Sequence, residues 1–217
     1  RLRSGRDGSM APMPETVGAY FDYLCPFAWR GAEVARMVEA RLGLRFDWRH
    51  FSLYQSDHGD AEGWQLWNAT LDDHDPMGNR GLQPFLASCA ARRQGPEAFD
   101  RFRLGLLRAR HVEGRPLTRS THLAVAEAAG LQLARFEADL ADPELRTCLA
   151  QEHHRSARRD VFGTPTFELA NGHLAYFRVR ELPTDEDEAV RLFLAFRELL
   201  EGFPYLETVR RPRPLRN

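Results

Sequence analysis

An α/β fold is predicted by the order in which hydrophobic periods change along this 217-residue chain. Three observations carry the prediction. Residues 17–53 read as strand, helix, strand; residues 82–159 show helical periodicity throughout; and strand signals return after residue 165 before one last amphipathic helix. The order is βαβ, a helical block, then ββα. At this length one α/β domain interrupted by a helical insertion domain fits better than two consecutive domains.

Val17 to Tyr23 reads as a strand interrupted only by Asp22. Pro26 then suits a first helical turn, Val34, Met37, Val38 and Leu42 follow at helical spacing, and Gly43 stops the helix. Leu44 to Leu53 alternates Leu44, Phe46, Trp48 and His50 against Arg45, Asp47 and Arg49, the period of a half-buried strand. Strand, helix, strand at this spacing predicts a parallel pair with a right-handed crossover.

Residues 57–81 are polar, rich in Asp, His and Gly, and carry Trp64 and Trp67. Helical stripes follow: Leu82, Phe85, Leu86, Cys89 and Ala90; then Phe99, Phe102, Leu106 and Ala109 after Pro96. Two short helices, Ser120 to Ala129 and Ala134 to Leu140, flank Gly130. Asp142-Pro143 opens another, Asp as cap and Pro in the first turn, with the stripe Leu145, Cys148, Leu149 and Glu152.

Strands are predicted at Thr166 to Leu169 and Leu174 to Val179, joined through Asn171-Gly172, a two-residue hairpin signal. In the last helix Thr184 can cap, Asp185 to Glu188 complement the positive end of the dipole, and Ala189, Leu192, Phe193, Phe196 and Leu200 form the buried face up to Gly202. The expected division is a tag or flexible start over 1–14, the α/β unit over 15–56 and 160–203, the helical insertion over 57–159, and a C-terminal arm over 204–217.

Composition excludes some functions. Thirty basic and 31 acidic side chains nearly cancel, every basic one being Arg, so no strong positive field marks a general nucleic-acid or membrane-surface binder. A hydrophobic content of 43% suffices for a sizeable core. No run of about 18 apolar residues predicts a membrane span, and the basic, Gly/Ser-rich start lacks the apolar stretch of a secretory signal. The expected compartment is cytoplasmic. The 3 cysteines are too few for a disulfide scaffold, and their odd number leaves one free unless it pairs between chains.

Cys25 stands where the first strand ends and the first helix begins. The unpaired N–H groups and dipole of a helix start favour thiolate over thiol, so this position predicts a nucleophile that alkylates faster than Cys89 or Cys148. A small buried side chain at a strand end is the ordinary alternative. The second feature is Val161-Phe162-Gly163-Thr164-Pro165-Thr166-Phe167. A Thr-Pro step just before a strand cannot sit inside a central ladder. It fits either an ordinary strand-entry proline or a cis-proline turn whose backbone groups are free for an extended ligand.

Together these segments resemble the DsbA family of thioredoxin-like folds. Phe21-Asp22-Tyr23-Leu24-Cys25-Pro26-Phe27-Ala28-Trp29 is similar to that family's active-site strand and helix, Phe51-Ser52-Leu53 to its second-strand end, and Phe162 to Phe167 to its cis-proline loop. Within the family the resemblance is greatest to the branch of FrnE, 2-hydroxychromene-2-carboxylate isomerase and the kappa-class glutathione transferases. It implies a thioredoxin-like fold with a helical insertion, Cys25 as the catalytic thiol, and a substrate site of Pro26, Phe27, Thr164 and Pro165.

The chain departs from the family at Ala28, where a dithiol enzyme has its resolving cysteine. Single-thiol chemistry remains: thiol–disulfide exchange through Cys25, released by glutathione or another small thiol as co-substrate. The alternatives are a glutathione-dependent isomerase or transferase acting on an aromatic electrophile, and a non-catalytic binding protein of the same fold. No tightly bound cofactor or metal is expected. The expected partners are a small thiol or a disulfide-bearing substrate, with a homodimer left open and no nucleic acid or membrane.

Other candidates read as structural. Cys89 and Cys148 fall on apolar stripes, which predicts core packing over a resolving role. His50 reads as a satisfied strand histidine, His111 as a helix-end histidine favoured by the dipole, and His153-His154 as a polar face. Asp72, Asp73, His74 and Asp75 are adjacent and rarely converge on one metal. Trp64 and Trp67 could pack in the core or line a cleft beside the insertion.

Overall fold

The computed structural model describes residues 14–59 and 63–211. Most of the predicted N-terminal segment and the end of the C-terminal arm lie outside the described residues.

Strand β1 (Glu15–Phe21) leads through a short turn into α1 (Pro26–Leu42), which ends where Gly43 adopts φ 63° and donates its N–H to Glu39. Strand β2 (Leu44–His50) follows at once and pairs parallel with β1, Glu15 opposite Leu44 and Phe21 opposite His50. Both predicted strands end earlier than the hydrophobic pattern suggests. The buried residues that prolong the pattern, Tyr23 and Phe51, belong to turns that enter the core. Ser52 then caps a short helix, α2 (Leu53–His58), which the sequence reading does not separate from the strand.

The chain returns to the sheet at β3 (Thr166–Glu168), antiparallel to β1, and β4 (Leu174–Tyr176), antiparallel to β3. The sheet order is β2-β1-β3-β4, with β1 in the interior. The β3–β4 loop is longer than a two-residue hairpin. Gly172 N donates to Leu169 O at 2.8 Å, Leu169 N donates to His173 O at 3.0 Å, and Gly172 takes φ 82°. The result is a turn followed by a left-handed glycine.

Helix α8 (Glu186–Gly202) packs beside α1 on the sheet. Its cap is Asp185, whose carboxylate accepts from Glu188 N at 2.8 Å. The predicted cap, Thr184, instead donates its N–H and hydroxyl to Glu188. Phe46, Phe167 and Phe193 form an aromatic cluster between sheet and helix, with Phe46 5.5 Å from Phe167 and 5.7 Å from Phe193 between centroids.

Between β2 and β3 lies the helical block: α3 (Leu82–Arg92), α4 (Pro96–His111), α5 (Arg119–Ala128), α6 (Leu133–Leu140) and α7 (Glu144–Ala157), with a 3-10 turn at Leu66–Asn68 before it. Helix α3 is buried from Leu82 to Ala91, so it forms the block's centre. Among the polar contacts that join the block to the sheet unit are two from α4. Arg108 of α4 donates to both oxygens of buried Glu33 on α1. Arg103, also on α4, is buried with its guanidinium 4.0 Å over Trp48 of β2. No helix among the described residues is long and apolar enough to cross a membrane.

Candidate functional site

Cys25 is the N-cap of α1, in extended conformation, with Pro26 in the first turn. Its N–H donates to Asp22 O, and the next turn starts from its own carbonyl through Ala28 N and Trp29 N. The strand end is held by Asp22, fully buried, which accepts from Leu24 N and Leu53 N at 2.8 Å each. Burial raises the Asp22 carboxyl to about 6 despite those two bonds. One side chain thus fixes the turn before Cys25 and the start of α2 together.

Across from Cys25 runs the 162–167 loop. The Thr164–Pro165 peptide is cis, and the Cys25 thiol donates to the Thr164 carbonyl at 3.3 Å. Thr164 is buried, and its hydroxyl has no hydrogen-bond partner among the described residues. Pro165 packs on α1 beside Gly31: a β-carbon there would lie 2.5 Å from Pro165 Cγ. The loop is pinned on its far side by Phe177 N donating to Pro165 O and by the Thr166 hydroxyl donating to Gly163 O.

The rim combines rings and cations. Phe27, half-buried, has the Arg178 guanidinium 3.5 Å and the Arg30 guanidinium 5.4 Å from its centroid. Arg30 also lies over Trp29, which stacks on His111 at 6.3 Å. The His111 ring nitrogen Nε2 is 2.9 Å from Tyr23 O, and burial lowers its pKa. Phe162, 66% exposed, contacts Tyr176 on β4, with centroids 5.5 Å apart. Neither Arg30 nor Arg178 pairs with a carboxylate among the described residues.

The structure therefore brings Cys25, Phe27, Thr164 and Pro165 together, with Pro26 exposed at the helix start. Ala28 is buried, so no side chain of its own turn reaches Cys25 as a second thiol. Arg30, Arg178, Tyr176 and Gly31 escape the sequence reading because their part in the site depends on contacts between α1, the 162–167 loop and the segment around β4. Phe27 within the motif offers the only local hint of an arginine-binding face.

The remaining candidates separate. His50 is buried and satisfied: Tyr23 donates to Ser88, Ser88 lies 2.8 Å from His50 Nε2, and Nδ1 lies 2.8 Å from Glu152, which Arg92 also grips. Burial lowers the pKa of His50, while His50 and Arg92 hold the Glu152 carboxyl near 2 against the upward effect of burial. Ligand atoms of His50, Cys89 and Glu152 lie within 4.8 Å of one another. Their hydrogen bonds to each other and to Arg92 already occupy the carboxylate. Asp72 and Asp75 bind loop backbone at His74, Met77 and Asn79.

Two readings, of His153 and of Cys148, need correction, and of the two alternatives left open for the tryptophans Trp67 takes core packing. His153 is buried, not part of a polar face: it stacks on Phe51 at 4.9 Å and accepts from Ser52 N, while His154 is exposed. Trp67 is buried against both histidines and Trp64 is partly exposed beside Tyr54, both outside the Cys25 site. Cys148 is exposed, whereas Cys25 and Cys89 are buried. Cys148 falls at the outer edge of its stripe because α7 packs through Leu145, Leu149, His153 and Ser156. Cys148, not Cys25, is thus the most accessible thiol to an alkylating reagent.

A thiol at a helix start facing a cis-proline loop, on a sheet of order β2-β1-β3-β4, defines a thioredoxin-like protein with a helical insertion. The chain belongs to the DSBA-like thioredoxin domain family, whose model matches residues 16–187. It is 25% identical over 202 residues to the uncharacterized protein Rv2286c of Mycobacterium tuberculosis, covering 91% of this chain and 82% of that one. The solved structure of 2-hydroxychromene-2-carboxylate isomerase superposes with a TM-score of 0.60 at 18% identity, covering 89% of this chain and all of that one. The cytosolic disulfide reductase DsbM from Pseudomonas aeruginosa, solved with GSH, gives 0.54 at 20%, covering 84% and 99%.

Proposed function

We propose that this chain catalyses thiol–disulfide exchange through Cys25 alone, with a small peptide thiol of the glutathione class as co-substrate. The observation that carries the reading is the Cys25 sulfur 3.3 Å from the Thr164 carbonyl, with Ala28 where a resolving thiol would stand.

The chemistry balances without a second cysteine. Cys25 loses its proton to solvent and attacks one sulfur of a substrate disulfide. The old S–S bond breaks, the departing sulfur leaves as a thiolate and takes up a proton, and Cys25 holds the other half as a mixed disulfide. The thiolate of the small thiol then attacks that half's sulfur. Cys25 departs as thiolate and regains a proton, and the small thiol leaves joined to the transferred half. One disulfide is consumed and one is made, with no net oxidant required.

The rim supports a ligand of this class. Arg30 and Arg178 are cations without a carboxylate partner among the described residues, placed to receive the carboxylates of such a thiol. The Thr164 carbonyl loses its donor once Cys25 is held in a mixed disulfide, which frees it for extended pairing with the ligand. The neighbour DsbM, a disulfide reductase solved with GSH, is consistent with that ligand.

A second reading is a glutathione-dependent isomerase acting on an aromatic substrate. It rests on the rings of Phe27, Trp29, Phe162 and Tyr176 at the rim and on the likeness to 2-hydroxychromene-2-carboxylate isomerase. Incubating the chain with oxidised glutathione separates the two. Exchange predicts one glutathione on Cys25, detected by mass spectrometry, removed by reduced glutathione and absent in Cys25→Ser. If no adduct forms on Cys25 while reduced glutathione still binds, the isomerase reading takes its place.

A further inference from the structure

Away from Cys25, α3 and α7 lie side by side and place two further cysteines on one pocket. Cys89 of α3 and Cys148 of α7 both line a surface pocket of about 400 Å³, together with Arg92, Arg93, Leu145 and Gln151. The two helices pack directly together, and each thiol shifts the proton affinity of the other. Cys148 faces solvent and Cys89 lies beneath it, its sulfur 3.7 Å from His50 Nδ1. Neither Cys25 nor the cis-proline loop lines this pocket.

From this placement we infer that Cys89 and Cys148 form a second redox site: a reversible dithiol in which Cys148 is attacked by small oxidants of the disulfide class and Cys89 resolves it. The roles follow from exposure and charge. The outer sulfur is the one a small disulfide can reach, and the inner one can reach only its neighbour. Donation from Cys89 draws the Cys148 thiol down to about 6 against its partial burial, whereas the same bond and burial push Cys89 well up. Arg92 and Arg93 add positive charge that also favours the Cys148 thiolate.

The steps balance. Cys148 thiolate attacks oxidised glutathione, breaking its S–S bond and releasing one glutathione thiolate, which takes up a proton. The Cys89 thiol gives its proton to the second departing glutathione as its sulfur attacks Cys148. The products are a Cys89–Cys148 disulfide and two glutathione thiols. Reduced glutathione in excess reverses both steps.

The test uses the full chain, treated with oxidised glutathione, blocked with an alkylating reagent, and cleaved after arginine. The expected product links the Gly81–Arg92 and Thr147–Arg155 peptides, is lost on reduction, and forms equally in Cys25→Ser. In Cys89→Ser a glutathione adduct persists on Cys148. In Cys148→Ser, an exposed and structurally mild change, the cross-link is lost and Cys89 stays unmodified. A lasting Cys148 adduct in the unsubstituted chain, a bond from either cysteine to Cys25, or an unreacted Cys148 would overturn the inference. So would modification of Cys89 in Cys148→Ser.

Discussion

Gly31 of α1 lies against the ring of Pro165 so closely that a β-carbon at Gly31 would sit 2.5 Å from Pro165 Cγ and 3.0 Å from Cβ. This contact sets how near the cis-proline loop stands to the helix that carries Cys25. A proline ring has no flexible end to swing away, so backbone must move to admit a methyl group. Gly31→Ala should therefore destabilise the chain. Overpacking costs about 1–3 kcal/mol, and helix propensity returns at most about 1 kcal/mol. The Tm should fall, by roughly 2–4 °C for each net kcal/mol, and Cys25 should alkylate faster as Thr164 draws away. A Tm equal to or above that of the parent chain would show that the contact is slack.

Ala28 is one helical turn past the Cys25 N-cap and is buried. Replacing Ala28 with Cys puts a thiol where a mixed disulfide on Cys25 can be resolved from within the chain. The expected outcome is that glutathione adducts on Cys25 disappear without added thiol and that a disulfide links Cys25 to the introduced sulfur. Adducts as long-lived as in the parent would mean that the α1 start does not bring the two sulfurs together.

Arg178 stacks over Phe27 and bonds weakly to the Tyr176 hydroxyl at 3.4 Å. It is exposed, so its removal should leave folding intact. If it holds a ligand carboxylate, Arg178→Ala should raise the KM for a glutathione-class thiol about tenfold, as expected for one charge-assisted hydrogen bond. The kcat should change little, and the difference should shrink at high salt. An unchanged KM with a reduced kcat would assign Arg178 to another role.

His122 lies buried on α5, where burial first and Arg119 second lower its pKa to about 4. The folded state therefore resists a proton that the unfolded chain binds near 6.5. Its stability contribution is complete above about pH 6.5 and is lost as pH falls toward 4, on the order of 3 kcal/mol. His122→Leu removes the titration and a ring nitrogen, Nε2, left without a partner. Denaturant unfolding at neutral pH and near pH 4.5 should show a smaller acid loss in the variant. An equal loss in both would place the acid sensitivity elsewhere, His153 being next, with its pKa also lowered to about 4 by burial.

Much of this organisation was legible in the sequence because it is local. Cys25-Pro26 marks a helix start, and Gly43 marks its end. The alternation over 44–50 survives as alternate burial along β2. Thr164-Pro165 announces a break before a strand. These signals depend on backbone conformation and near-neighbour chemistry, which a few residues determine by themselves. They also sufficed for the resemblance that the family match over 16–187 then established.

Tertiary structure decided what depends on partners far along the chain. Cys148 reads as part of an apolar stripe, yet α7 meets its neighbours through a face about one residue around the helix, and the thiol turns outward beside Cys89. His153 looks polar but is buried under Phe51. Arg178 looks like any charged loop residue until the sheet sets it on Phe27, some 150 positions earlier in the chain. By itself the sequence determined where the Cys25 helix start and its facing loop begin. Packing decided which arginines surround them, and which two cysteines share a pocket, because helix rotation and sheet crossover are set by the whole buried surface rather than by any one segment.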